Sequence, residues 1–83
     1  MTVTQVVLYT RKECHLCDVV KESLERLVHR ASFTWREVDI DGDEELRRKF
    51  GEEVPVVFIN GRKAFKYSMT EDDFLKKLGV ANL

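Results

Sequence analysis

The feature that most limits the fold of this chain is a change of period after its first strand-like run. "VTQVVLY", Val3 to Tyr9, is β-branched and apolar enough for a strand covered on both faces. Further on, Cys17, Val20, Leu24, Leu27, Val28 and Ala31 recur at three- and four-residue steps, and Lys21, Glu22, Glu25 and Arg26 fill the other side. That is an amphipathic helix. "FTWREVDI", Phe33 to Ile40, then reads as a second strand. Strand, helix and strand in this order call for a right-handed crossover and a parallel pair.

The remaining elements follow from their punctuation. Asp41 with Glu44 three residues on resembles a capping box for a short helix through "EELRRKF", with Gly51 as its stop. "PVVFI" reads as a third strand, and Asn60-Gly61 is a two-residue hairpin signal leading into a fourth around Lys63 to Tyr67. Thr70 with Asp73 caps a last helix carrying Phe74, Leu75 and Leu78, and Gly79 ends it. The expectation is an α/β domain of order β-α-β-α-β-β-α, a four-stranded mixed sheet flanked by three helices. No repeat, low-complexity segment or linker interrupts it, so 1–83 is read as one domain. A chain this short buries roughly 60% of the surface its unfolded form exposes.

Composition narrows the function. A formal net charge of −1 and a pI near 6.1 leave no basic footprint for nucleic acid. Runs such as "VVLY" and "VVFI" are too short to cross a bilayer, and "MTVTQ" lacks the basic and apolar regions of a secretory signal. A cytoplasmic monomer is the expectation. In a reducing compartment, a lone cysteine pair is a poor structural disulfide.

Cys14 and Cys17 fall where the first strand turns into the first helix. Unpaired backbone N–H groups and the positive end of the helix dipole there favour a thiolate at Cys14. Cys17 opens the apolar stripe, so it is expected to be more buried and to hold its proton more tightly. An exposed thiolate beside a buried thiol can form a mixed disulfide with a substrate and then close a Cys14–Cys17 disulfide.

With "CHLC" after the first strand, "VDID" ending the second and "VPVVFINGRK" forming a proline turn and hairpin, the sequence resembles the glutaredoxin branch of the thioredoxin-like family over nearly its whole length. The resemblance implies a thioredoxin-like fold and a dithiol–disulfide oxidoreductase with Cys14 attacking and Cys17 resolving. It also implies a cis Val54-Pro55 bond beside the cysteines, with Val54 offering its backbone to an extended substrate. Arg11 and Lys66 stand as charges for a substrate carboxylate, against the alternative that such residues are solvated. His15 either stabilises the Cys14 thiolate when protonated or is a solvated loop residue.

Three departures from the family pattern accompany these matches. The usual Pro-Tyr between the cysteines is His15-Leu16, the usual Thr-Val-Pro is Glu53-Val54-Pro55, and "FKYSMTEDD" stands where a glycine pair would precede the last helix. Leu16 therefore lines the site without the ring that helps enclose glutathione. Glu13, Glu52 and Glu53 oppose a thiolate and an anionic substrate unless they point into water. Trp35 is assigned to the core, and His29 to a solvated helix end.

No resident cofactor or metal is expected beyond the redox-active cysteine pair, with glutathione as a possible co-substrate. The partners implied are a disulfide-bearing protein or a small-molecule thiol, and a reductant such as glutathione or a thioredoxin-reductase-like enzyme. Two other readings stay open. Cys14 and Cys17, with or without His15, could carry Cu(I) or Zn(II), or one cysteine from each of two chains could hold a bridging iron–sulfur cluster. Alternatively, the domain is a binding module that performs no catalysis.

Overall fold

The computed structural model describes residues 3–79. Its elements are β1 (Thr4–Thr10), α1 (His15–Leu27), β2 (Phe33–Asp39), a 3-10 turn (Ile40–Gly42), α2 (Glu44–Phe50), β3 (Val56–Ile59), β4 (Arg62–Lys66) and α3 (Glu71–Leu78). The order is the one the sequence calls for. The single-domain span over 1–83 extends past the described residues by 1–2 and 80–83.

The strands form one mixed sheet in the order β2-β1-β3-β4. β1 runs parallel to β2 and antiparallel to β3, and β3 to β4 is antiparallel. The hairpin turn places Asn60 at φ 50° and Gly61 at φ 81°, the pair of positive values that a two-residue turn of this kind requires. Asn60 Oδ1 also accepts from the Gln5 N–H at 2.9 Å, which fastens the hairpin to β1.

The two faces of the sheet are packed unequally. On one, Val6, Leu8 and Val57 meet Val20, Leu24 and Leu27 of α1 and Phe74 and Leu75 of α3, with Phe33 stacked edge-on at 5.0 Å from Phe74. Trp35 packs against this core. On the other face Ile40, Phe50 and Val56 are buried, and Tyr9, Leu46, Val54 and Phe58 only partly so. Each fully buried Val, Leu or Phe contributes roughly 1.5 to 3 kcal/mol over an exposed one, so the α1–α3 face carries most of the stability.

Several boundaries differ from the sequence expectations, each for a local reason. Asp43, not Asp41, caps α2, accepting from the N–H groups of Glu45 at 2.9 Å and Leu46 at 3.1 Å. Ile40 has left the strand for the 3-10 turn, whose own cap is Asp39 through the Asp41 N–H. With three aspartates at alternate positions, spacing alone does not choose the cap. Gly51 ends α2 in a right-handed conformation, φ −52°. A Cβ there would lie 2.5 Å from the Arg47 carbonyl oxygen, so the glycine serves close approach and not a left-handed turn. Val28 and Ala31 lie beyond the last residue of α1 yet still pack on the core. Tyr67 falls outside β4, at φ 70°. Gly79 closes α3 at φ 78°, as its position calls for.

Candidate active site

Strand register gathers the site at one end of the sheet. Thr10 pairs with Asp39, Tyr9 with Val56 and Val56 with Lys66. The segments just beyond those pairs therefore emerge together: the Arg11–Cys14 loop, the 3-10 turn, the Val54-Pro55 loop and Tyr67. The Val54-Pro55 bond is cis, and Pro55 is buried.

Cys14 is the N-cap of α1, and its sulfur accepts the Cys17 N–H at 3.2 Å. Helix starts leave such N–H groups without partners, and here a sulfur takes one. The two cysteines are joined, with Cα atoms 5.2 Å apart, an ordinary span for a disulfide. Cys14 is partly accessible, whereas Cys17 is 2% exposed at the head of the buried stripe of α1. Glu13, just before the pair, is held at φ 56°, a left-handed conformation uncommon for a residue with a side chain. Such strain persists only where surrounding contacts fix the loop.

Those contacts come from Arg11 and Asp41. Arg11 Nε donates to Asp41 Oδ1 at 3.1 Å and Nη1 to the Gly51 carbonyl at 3.2 Å, while the Lys12 N–H reaches Asp41 Oδ2 at 3.4 Å. The thiol loop is thus pinned to the 3-10 turn and to the end of α2. Arg11, a candidate for substrate binding, has two of its three nitrogens engaged within the protein. His15 is exposed, and Leu16 is 51% exposed with Val19 (44%) one turn on.

The facing wall is built from three separate segments. The Val54 N–H is engaged with the Phe50 carbonyl at 3.1 Å, which leaves the Val54 carbonyl as the group available to an extended ligand. The Tyr67 N–H donates to the carbonyls on both sides of the Val54-Pro55 unit, Glu53 at 3.1 Å and Pro55 at 2.9 Å. Lys66 Nζ stands 5.4 Å from the centre of the Tyr67 ring. Glu53 pairs with Lys63, and that hydrogen bond holds its carboxyl below the usual carboxylate range.

Sequence reasoning passed over two groups near the thiols. One is Asp41, read there as a helix cap. The other is a chain in which the buried Thr10 hydroxyl donates to Glu37 at 2.9 Å and Lys21 pairs with the same carboxylate at 3.2 Å. The hydrogen bond and charge of Glu37 hold Lys21 above its ordinary value. Nothing in the spacing of Thr10, Lys21 and Glu37 marks them as neighbours. His29 lies exposed past α1, in the solvated position assigned to it. Among the described residues, no three His, Cys, Asp or Glu side chains form a group that could hold a metal ion, and no helix is long and apolar enough to cross a membrane.

Comparison with known proteins places this geometry. Residues 5–79 match the family described as Glutaredoxin-like domain (DUF836). An uncharacterized protein of Mycobacterium tuberculosis strain H37Rv is 34% identical over 76 residues, covering 86% of this chain and 78% of its own. Among solved structures, the chain is similar to a Nitrosomonas europaea protein studied by NMR, at 29% identity and a TM-score of 0.79, with 93% of each chain covered. It is also similar to an X. campestris protein solved by X-ray methods, at 32% identity and a TM-score of 0.76 over 93% of this chain and 99% of that one. A thioredoxin-like protein at 20% identity shares the fold, with a TM-score of 0.67 over 92% of this chain and 96% of that one.

Proposed function

The chain belongs to the glutaredoxin-like domain family, and we propose that it is a small dithiol–disulfide oxidoreductase in which Cys14 attacks and Cys17 resolves. The observation that carries this reading is the asymmetry of the pair: Cys14 is an accessible helix cap whose sulfur receives an N–H, and Cys17 is buried behind it.

In the reducing direction, the Cys14 thiolate attacks one sulfur of a substrate disulfide. A Cys14–substrate bond forms, the substrate S–S bond breaks, and the leaving thiolate takes a proton from water. Cys17 then gives its proton to solvent and attacks the Cys14 sulfur, closing the Cys14–Cys17 bond and releasing the second substrate thiolate. Two electrons pass from the dithiol to the substrate. An external thiol or a thioredoxin-reductase-like enzyme returns them, and the same steps in reverse oxidise a dithiol. We place this activity in the cytoplasm, a reducing compartment in which a lone cysteine pair serves chemistry better than structure, and assign it to a monomer.

Within this scheme glutathione is a poor co-substrate. Leu16 supplies no enclosing ring, and Phe65, Lys66 and Tyr67 fill the segment where glycines would leave room for a ligand. Val54 keeps its carbonyl for an extended substrate, and Lys66 provides a positive charge within the replaced segment.

Mapping of iodoacetamide addition to the reduced protein at neutral pH tests the assignment. Cys14 is expected to be labelled first, and Cys14→Ser to lose all transfer to a protein disulfide. Preferential labelling of Cys17, or full activity in Cys14→Ser, would overturn it.

A further inference from the structure

We propose that the concavity between the end of α2 and the segment after β4, lined by Arg47, Arg48, Lys49, Glu52, Glu53 and Tyr67, docks an acidic stretch of polypeptide lying beside the reactive disulfide of a protein substrate. The proposal rests on the oxidoreductase reading and names the substrate class for it.

Position is the first argument. The Tyr67 N–H is bonded to the Glu53 and Pro55 carbonyls, so one wall of the concavity is hydrogen-bonded to the cis-proline loop. Arg11 ties the thiol loop to Gly51 at the end of α2, the helix that supplies the other wall. A chain held in the concavity and a disulfide at Cys14 therefore rest on one connected frame. At about 380 Å³, the hollow takes a few side chains and not a folded domain.

Charge is the second. Of the two lining carboxylates, Glu53 is committed to Lys63. Among the described residues, Lys49 is held only by an exposed contact of 3.7 Å to Glu45. Arg47 and Arg48 have no carboxylate partner among the described residues, and Lys66 adds a cation over the Tyr67 ring. The chain as a whole carries −1, so this excess of positive charge is a local feature.

The form of the ligand follows from the spacing of the cations. Arg47, Arg48 and Lys49 are consecutive on a helix, and consecutive side chains diverge by about 100°. Their heads do not converge on one point, as a compact anion such as phosphate would need. They are spread around the hollow, where carboxylates distributed along a flexible chain can reach them separately. Glu52 among them disfavours a dense polyanion but accommodates a peptide that carries an occasional basic residue. Tyr67 completes the surface. The residue is 47% exposed at a backbone conformation uncommon for an aromatic residue, and an amphipathic ring at low entropic cost is what docking surfaces favour.

The test uses two synthetic disulfide peptides, identical except for four Glu or four Gln residues beside the cysteine. Single-turnover reduction by the fully reduced protein is followed at low salt. The acidic peptide is expected to react roughly tenfold faster per unit concentration, the scale of two or three exposed ion pairs, and to lose that advantage in 0.5 M salt. In Arg47→Gln/Arg48→Gln the ratio of acidic to neutral rates should fall toward one. Arg36→Gln/Arg62→Gln removes the same net charge elsewhere and should keep the ratio. Equal rates for the two peptides, or a ratio that survives in Arg47→Gln/Arg48→Gln, would overturn the proposal. Fluorescence anisotropy of a cysteine-free acidic peptide on the oxidised protein reads the surface without any redox step. Binding there with no reduction of either peptide would sink the oxidoreductase reading alone, whereas absence of binding would sink the surface. Equally tight binding of a double-stranded DNA oligonucleotide would assign the site to polyanions at large and overturn the polypeptide assignment.

Discussion

The two walls of the candidate site are built in different ways. The thiol turn is local: Cys14 caps α1, Cys17 lies three residues on, and the two are joined by a disulfide and by the Cys17 N–H donating to the Cys14 sulfur. The facing wall is assembled from the end of α2, the Val54-Pro55 loop and the residue after β4, joined by backbone hydrogen bonds from Tyr67. A helix start with two cysteines specifies its chemistry wherever the fold places it. A recognition surface made of three segments depends on what each contributes, and the one after β4 presents a half-exposed Tyr67 beside Lys66. The contrast teaches that a turn set by near neighbours and a wall set by distant ones can vary independently: under the proposed function the first sets the chemistry and the second the ligand.

The largest effect that would sharpen the contrast is at the thiol turn. Cys17→Ser is expected to stop after the first step and accumulate a mixed disulfide at Cys14, read as an intact-mass increase equal to the substrate fragment. Complete turnover in that variant would break the division of labour. Next comes the facing wall. Losing one charge-assisted contact to a ligand carboxylate costs roughly 1.5 to 3 kcal/mol, about tenfold to a hundredfold in affinity. Glutathione should therefore reduce the Cys14–Cys17 bond slowly beside a simple dithiol, in a titration followed by thiol alkylation. Rapid, saturable reduction at low millimolar glutathione would show that the wall retains its glutathione contacts.

Packing beneath the walls differs as well. Leu24, fully buried in the α1–α3 core, should cost about 2 to 5 kcal/mol on replacement by Ala. Leu46, part-buried on α2, should cost about 1 kcal/mol, in keeping with its smaller loss of buried surface. Urea unfolding of Leu24→Ala and Leu46→Ala measures both, and equal losses would contradict the unequal faces. The smallest effect is electrostatic. Because Lys63 depresses the Glu53 carboxyl, the pair favours the folded state above the ordinary carboxylate range, and its contribution fades as pH falls through the lowered value. Side-chain carboxyl shifts followed by NMR should show Glu53 titrating below the ordinary glutamate range, and Lys63→Met should return it to that range.

Much of the architecture was legible because it rests on near neighbours. The apolar stripe of α1, the positive φ values at Asn60-Gly61 and the Thr70 cap, whose Oγ1 accepts from the Asp73 N–H at 3.1 Å, are each decided within a few residues. The cap of α2 was not, since Asp39, Asp41 and Asp43 are equivalent by spacing and the 3-10 turn made the choice. Within the site, the helix-start position of the cysteines could be read directly. The engagement of Arg11 and the Thr10–Glu37–Lys21 chain could not.

By itself, then, the sequence determined the order of elements, the hairpin and the placing of two thiols at a helix start. Backbone preference, apolar periodicity and short-range capping act before the chain closes on itself. Only the tertiary structure decided that Asp41 would serve Arg11, 30 positions away, that Gly51 would accept from the same guanidinium across 40, and that Tyr67 would brace the proline loop. Those partners compete with water on equal terms in the open chain. They are selected when sheet register brings the loops to one end and fixes which charges and carbonyls come within reach.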